Sequence, residues 1–531
     1  MLNVMTGKQA AARLINDGDT VSINGFGSVS HPDDIDKAIE ELFLETGRPR
    51  DLTLVFSSGQ GQNKKGAYVD RLGHEGLVKR VIAGHYALMP QIRVMVSQNK
   101  IQAYNLPQGV ICHLFRACAS KKPGILTRVG LHTFVDPRFG GGRLNELSQE
   151  TWVELMELDG EKYLYYKTPQ INVAIVRGTT ADPGGNITAE KECLVVDALH
   201  IAQAARANRG KVIVQVERLS TVPANPHDVI IPGILVDAVV LAPDQKQTIS
   251  ETYNPAYCGE IRVPHEHIKK VMNDIRDWDR RAGIARERGV AGMIIGRRAA
   301  LELKPGNVIN LGVGMPELVS LAAQERGLID DLIFTVEPGV IGGVPSVGGS
   351  FGASFNPDMI YSQASQFDFY DGCGLDIAYM GAMEVDEKGN VNVSRLGDKV
   401  VGVGGFINIT QSAKKVVYCL PFMGGGLDVQ FDNGCLRIVK EGLIEKFSSA
   451  VQQVSFSGSY AAQMQQPVLY VTERCVFRLS PEGLELIEIA PGIDVQMDIL
   501  GKLSFCPIIS DHLKMMDMSC FIDPWTRNTN I

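Results

Sequence analysis

Residues 20–27 read TVSINGFG and residues 307–314 read NVINLGVG. In each, a short apolar run ends in a Gly-x-Gly turn, as a strand does where its backbone must leave the sheet closely and sharply. The similarity extends outward from these two stretches. Ala12, Leu14, Val21, Gly25 and Gly27 pair with Ala299, Leu301, Val308, Gly312 and Gly314, all 287 residues apart. Leu52 and Gly59 pair with Leu332 and Gly339 at an offset of 280. Ala174, Asp182, Gly185, Asn186, Lys211 and Val212 pair with Ala378, Asp386, Gly389, Asn390, Lys415 and Val416 at 204. Three blocks in the same order mark a duplicated domain. The drop in offset from 280 to 204 assigns 76 extra residues to the first copy, within an insertion at about 60–171.

Each copy alternates Val/Ile/Leu runs with helix-like segments. Strands are expected at 20–23, 52–56, 173–176 and 211–216, and again at 307–311, 332–336, 377–380 and 415–419. Helices are expected to begin near Asp33 and Pro316. Runs without alternating polarity, separated by helices, predict parallel or mostly parallel sheets covered on both faces. The fold class is therefore α/β, as two tandem, internally repeated open domains. The N-terminal domain is expected over 1–261 and the C-terminal domain over 291–531. Residues 262–290 hold Lys269, Lys270, Asp274, Arg276, Asp277, Asp279, Arg280, Arg281, Arg286, Glu287 and Arg288, a charge density that reads as a linker or solvated helix.

A chain of 531 residues with 45% hydrophobic and 21% charged residues is an ordinary globular protein of several domains. Its net charge of −8, without a basic block, argues against a nucleic-acid partner. Ten cysteines are scattered without a CxxC pair, so buried reduced thiols and a cytoplasmic setting are expected rather than disulfides or zinc. No apolar run of 18 residues predicts a membrane span. The acid-free start with Lys8 and Arg13 faintly suggests a transit segment, but its internal counterpart speaks for structure.

In open α/β sheets, sites form beyond the carboxyl ends of strands, where this sequence concentrates its glycines. Neither Gly-x-Gly has the third glycine of a dinucleotide fingerprint, and no P-loop motif occurs. The informative difference lies between the copies: Phe334–Gly339 aligns with Leu54–Gly59, and Glu337 stands where the first copy has Ser57. A carboxylate there can be base, metal ligand or nucleophile, or it can accept backbone N–H groups in a turn. The other candidates read more plainly. His265 and His267 do not share a helix face and belong with Glu266 to a charged surface. Asp376, Glu384 and Asp386 read as turn acids, and Phe367, Phe369 and Tyr370 as core or pocket wall. Cys373 has no histidine near it in sequence to activate a thiolate.

The stretch TVEPGVIGG (Thr335–Gly343) is flanked by NLGVGMP (Asn310–Pro316), SQFDFY (Ser365–Tyr370) and GVGGFINIT (Gly402–Thr410). Together with NGFG (Asn24–Gly27), NLPQG (Asn105–Gly109) and TFVDPR (Thr133–Arg138), it resembles the family I CoA-transferases, with both subunit types fused in one chain. The similarity is nearest to the short-chain acyl, propionate or acetate branch and more distant from the succinyl-CoA:3-oxoacid branch.

The resemblance implies that Glu337 attacks an acyl-CoA and carries CoA as a glutamyl thioester in a ping-pong exchange between short carboxylic acids. It implies that the Gly405 N–H and Gln108 stabilise the oxyanions, and that Gly312, Val313, Gly314, Met315 and Gly404 hold CoA. It further implies no metal, no cofactor beyond CoA as co-substrate, and a dimer or tetramer. Two residues depart from the family pattern. Pro338 replaces a small residue after the nucleophile, and Cys373 interrupts a glycine triplet, where its bulk is expected to narrow the acyl end. An acyl-CoA hydrolase and a non-catalytic ligand-binding protein are the competing readings; the first needs no second carboxylate, and the second has no use for one unmatched acid in the repeat.

Overall fold

The computed structural model describes residues 2–264, 266–268, 270 and 289–521. His265 and most of the charged stretch at 262–290 lie outside them. The chain forms two compact units. The first comprises Met1–Val263, Thr335–Gly372 and Ser394–Asn408; the second comprises Pro264–Phe334, Cys373–Val393 and Ile409–Ile531. A cut at 262–290 divides the sequence copies, but the compact units interleave, and the segment carrying Glu337 folds with the first copy.

In the first unit, β1 (Thr20–Ile23), β2 (Leu52–Phe56), β3 (Val78–Ala83), β4 (Gln102–Asn105), β5 (Val173–Ala181), β6 (Lys211–Leu219) and β7 (Ala238–Leu241) form one sheet. Its order is β7-β6-β5-β1-β2-β3-β4, and every one of these pairings is parallel. All five residues of β2 are buried, because helices cover both faces and no side of the strand can be polar. The insertion supplies β3, β4, the helices Pro90–Ser97 and Gln108–Ala119, and a small antiparallel sheet of Gly124–Thr127, Val153–Leu158 and Glu161–Lys167.

The second unit repeats the pattern. Its strands are β8 (Val308–Leu311), β9 (Ile377–Met380), β10 (Val416–Cys419), β11 (Val468–Val471), β12 (Cys475–Ser480), β13 (Gly483–Ile489) and β14 (Ile508–Met515). They lie in that order, and β8 to β11 pair in parallel. The order β8-β9-β10-β11 reproduces β1-β5-β6-β7 strand for strand.

Duplication is visible at single atoms. In the first unit Asp182 accepts the backbone N–H of Asn186 at 2.8 Å and its Nδ2 at 2.9 Å, and Asn186 Oδ1 accepts the Gly233 N–H at 2.9 Å. In the second, Asp386 accepts the same two groups of Asn390 at 3.0 and 2.9 Å, and Asn390 Oδ1 accepts the Gly458 N–H at 2.9 Å. Asp386 is thus a turn acid, and Asp376 likewise accepts the Val308 N–H and Lys414 Nζ. Among the described residues no helix is long and apolar enough to cross a membrane.

Candidate active site

The carboxyl ends of β1 to β4 place Asn24, Ser57, Gly84 and Asn105 along one edge of the first unit's sheet. A later segment, Gly402–Asn408, is tied to that edge. Gly402 pairs with His85, the Gly404 N–H donates to the Gly84 carbonyl at 2.6 Å, and the Val403 N–H donates to Asn105 Oδ1 at 3.1 Å. The Gln108 N–H in turn donates to the Gly404 carbonyl at 2.9 Å. Position 84 itself must be glycine, because a Cβ there would lie 2.1 Å from the Ser57 carbonyl oxygen. Asn408 completes the clamp: its Oδ1 accepts the Gly109 N–H at 3.2 Å and its Nδ2 donates to Asp371 at 3.0 Å. Gln108, Gly404 and Gly405 are therefore brought together, although nearly 300 residues separate them in sequence. Gly405 immediately precedes the helix Phe406–Ser412, so its N–H lies outside that helix's i→i−4 ladder.

Glu337 begins the turn between strand Ile333–Val336 and the antiparallel strand Val340–Ile341. The Gly339 N–H closes this turn onto the Val336 carbonyl at 3.2 Å. Gly339 has φ of 109°, and a Cβ there would meet the Tyr361 carbonyl oxygen at 2.1 Å, so the turn admits no other residue without moving the backbone. The Glu337 side chain is partly exposed, yet its Oε2 is sealed from solvent without a hydrogen-bond partner. Burial lifts its carboxyl to about 7, opposed only by its own backbone N–H. A carboxylate that is hard to keep charged is more basic and a better nucleophile than one on the surface.

Buried polar groups normally find partners, and each exception needs a reason. In this unit, Gln108 Nε2, Glu337 Oε2, Asp197 Oδ1, Gln363 Oε1 and both amide atoms of Gln366 are buried without one. Gln108 thus presents an unused N–H donor beside the Gly404 turn, as an oxyanion would require.

The first copy's Ser57 does something different from Glu337. Its Oγ donates to Asp197 Oδ2 at 2.6 Å, and Gln363 Nε2 donates to Ser57 Oγ at 2.7 Å and Cys112 Sγ at 2.8 Å. Burial raises Asp197 to about 6. The cluster of Asp197, Gln363 and Cys112 and the Asn408–Asp371 pair escaped sequence reasoning, because no spacing signal links residues so far apart.

Gly312, Val313, Gly314 and Met315 follow β8 in the second unit. The Gly312 N–H donates to the Tyr379 carbonyl, Gly314 donates to Glu317 Oε1, and Val313 is exposed. They form an open loop entering the helix Glu317–Glu325. Glu266 and His267 are exposed, and no cluster of three or more metal-ligating side chains occurs among the described residues. Cys373 is exposed and has φ of 63°, a left-handed conformation more natural to glycine. Phe367 and Tyr370 are core residues, whereas Phe369 reaches the surface.

Comparison with known proteins agrees with this architecture. The coenzyme A transferase family model matches residues 4–242. The caffeate CoA-transferase of Acetobacterium woodii is 44% identical over 97% of both chains. The acetate CoA-transferase YdiF of Escherichia coli strain K12 is 40% identical over 97% of this chain and 94% of its own. The acyl-CoA transferase YdiF of Escherichia coli O157:H7, solved as a thioester complex with CoA, superposes with a TM-score of 0.90 at 38% identity, covering 98% of this chain and 96% of that one. With likeness of this extent in both sequence and fold, this chain belongs to the coenzyme A transferase family.

Proposed function

We propose that this transferase moves CoA reversibly between a short-chain acyl-CoA and a free carboxylic acid such as acetate, propionate or butyrate, with Glu337 as the covalent carrier. The observation that carries the reading is the sealed, unpartnered Oε2 of a carboxyl lifted to about 7, in a family whose relative YdiF was solved as a CoA thioester. The Glu337 carboxylate attacks the acyl carbon, forming an acyl-glutamyl anhydride and releasing CoA thiolate. The thiolate attacks the glutamyl carbon, forming the glutamyl-CoA thioester and freeing the first acid as carboxylate. A second carboxylate attacks that thioester carbon, displacing the thiolate, which then attacks the new acyl carbon and restores Glu337. Exclusion of water keeps the thioester's free energy in the exchange.

In this reading the Gln108 Nε2–H and the Gly405 N–H receive oxyanion charge. Gly312, Val313, Gly314, Met315 and Gly404 hold CoA, which is the only co-substrate beside the acids. The Gly404 carbonyl that accepts the Gln108 N–H supports the first role by fixing where Gln108 enters its helix. A division into sister domains at 1–261 and 291–531, a homo-oligomer of two or four chains and a cytoplasmic address belong to the same proposal. The test is transfer from propionyl-CoA to isotopically labelled acetate. Labelled acetyl-CoA should appear, CoA should not be released without an acceptor, and Glu337→Gln should abolish both half-reactions. Acceptor-independent release of free CoA at the full rate would instead identify a hydrolase.

A further inference from the structure

A helix leaves its first N–H groups without partners in its own ladder, and a side chain just before it usually takes one of them. The helix Gln108–Ala119 follows Pro107, which offers no capping side chain. Its first two N–H groups go instead to a distant stretch of the sequence. Gln108 donates to the Gly404 carbonyl at 2.9 Å, and Gly109 donates to Asn408 Oδ1 at 3.2 Å. Asn408 thus caps this helix from outside it.

The two sides of that cap carry the two proposed oxyanion donors. Gln108 is the first residue of the capped helix, and Gly405 immediately precedes the helix Phe406–Ser412, whose first turn holds Asn408. The Gln108 carboxamide lies against the same turn, since a Cβ on Gly404 would sit 3.4 Å from its Oε1. Any shift of Asn408 relative to Gly109 therefore changes the spacing between the donors.

An amide caps a helix only when its oxygen faces the N–H groups. Asn408 Nδ2 donates to both oxygens of Asp371, at 3.0 and 3.2 Å, which turns the nitrogen toward the carboxylate and the oxygen toward Gly109. Asn408 is wholly buried. The fit is close: a Cβ on Gly109 would lie 2.6 Å from Asn408 Nδ2 and 2.5 Å from the Phe367 ring. Movement of either partner would leave unpaired polar groups in the interior.

We propose that Asn408, oriented by Asp371, is a positioning residue that sets the spacing of the Gln108 and Gly405 donors so that both reach one oxyanion. Such donors must lie about 2.7–3.1 Å from that oxygen, and a misplacement of about 1 Å costs on the order of 100-fold in rate. The inference rests on Gln108 and Gly405 being the oxyanion donors.

The test is steady-state transfer and thermal unfolding of Asn408→Leu, of Asn408→Asp, and of Asn408→Asp joined to Asp371→Asn. Asn408→Leu removes the cap, so kcat should fall about 100-fold while the KM for acyl-CoA stays within about threefold. Asn408→Asp sets two carboxylates side by side and should also slow transfer. Adding Asp371→Asn restores one donor and one acceptor with their sides exchanged, and leaves a carboxylate to accept the Gly109 N–H. The pair should return kcat to within about threefold of the parent. Because the effect runs through Gln108, Asn408→Leu should cost less than about tenfold in a Gln108→Ala background, whereas a side chain that only supported the fold would multiply the two losses. If Asn408→Leu does not fold, the single and paired exchanges decide. Parent-like kcat in folded Asn408→Leu, multiplied losses, or a pair no faster than Asn408→Asp alone would each overturn the proposal. Gln108→Ala at full speed would sink the donor reading and this inference with it; a slowed Gln108→Ala beside a parent-like Asn408→Leu sinks Asn408 alone.

Discussion

Replacing Glu337 by glutamine should destroy transfer and stabilise the fold, with a gain that depends on pH. Glutamine keeps the shape but cannot ionise. Folding lifts the Glu337 carboxyl from its ordinary 4.5 to about 7. The folded state therefore binds more protons than the unfolded one between those values, and the parent protein loses stability as pH rises through that window. Below 4.5 both states are protonated and the carboxyl imposes no penalty; above 7 the penalty is complete. At 1.36 kcal/mol per pH unit its ceiling is about 3 kcal/mol, and water reaching the exposed part of the side chain trims it to about 2 kcal/mol. For a chain of 531 residues that corresponds to roughly two degrees in the unfolding midpoint. Calorimetry of both proteins at pH 5 and pH 8 measures the difference. Glu337→Gln should melt close to the parent at pH 5 and above it at pH 8. A variant less stable than the parent at pH 8, or a gap that ignores pH, would refute the reasoning.

Further expectations follow from the same site and fold. With the Glu337 carboxylate as the proposed attacking group, kcat/KM for acyl-CoA should rise with pH and level off above about 7, as initial rates across pH 5–9 would show; a flat profile contradicts it. Gly339→Ala puts a Cβ against the Tyr361 carbonyl at φ of 109°, so it should cost more than about 2 kcal/mol. It should also slow transfer about 100-fold by displacing Glu337, measured by urea unfolding and steady-state rates. Asp182→Ala and Asp386→Ala each strand the same turn N–H groups, and each should destabilise by about 1–3 kcal/mol. Similar losses in the two variants, read by unfolding, are the energetic counterpart of the repeat.

The fold was legible because its strands are buried on both faces and so read as uninterrupted apolar runs, twice over. Asp386 was legible as a turn acid, and Asp182 as its counterpart in the repeat, because their Gly-Asn partners recur at the same spacing. Glu337 stood out only by comparison with Ser57, since the repeat makes an unmatched acid visible. What the sequence could not display is assembly across distance. Asn408 holds Gly109, Gly404 holds Gly84 and Gln108, and Gln363 holds Ser57 and Cys112, through bonds that leave no periodic trace. The exposed thiol and positive φ of Cys373 give no structural support to the expectation that it narrows the acyl end.

During turnover the residue 337 carboxyl should become bonded to CoA. Mass spectrometry of peptides from protein incubated with acyl-CoA and then borohydride tests it directly, because borohydride reduces a thioester to an alcohol and leaves a free carboxylate untouched. A mass loss should be confined to the peptide containing Glu337, depend on acyl-CoA and be absent from Glu337→Gln. An unmodified peptide from protein that is actively transferring CoA, or modification at a different residue, would contradict it.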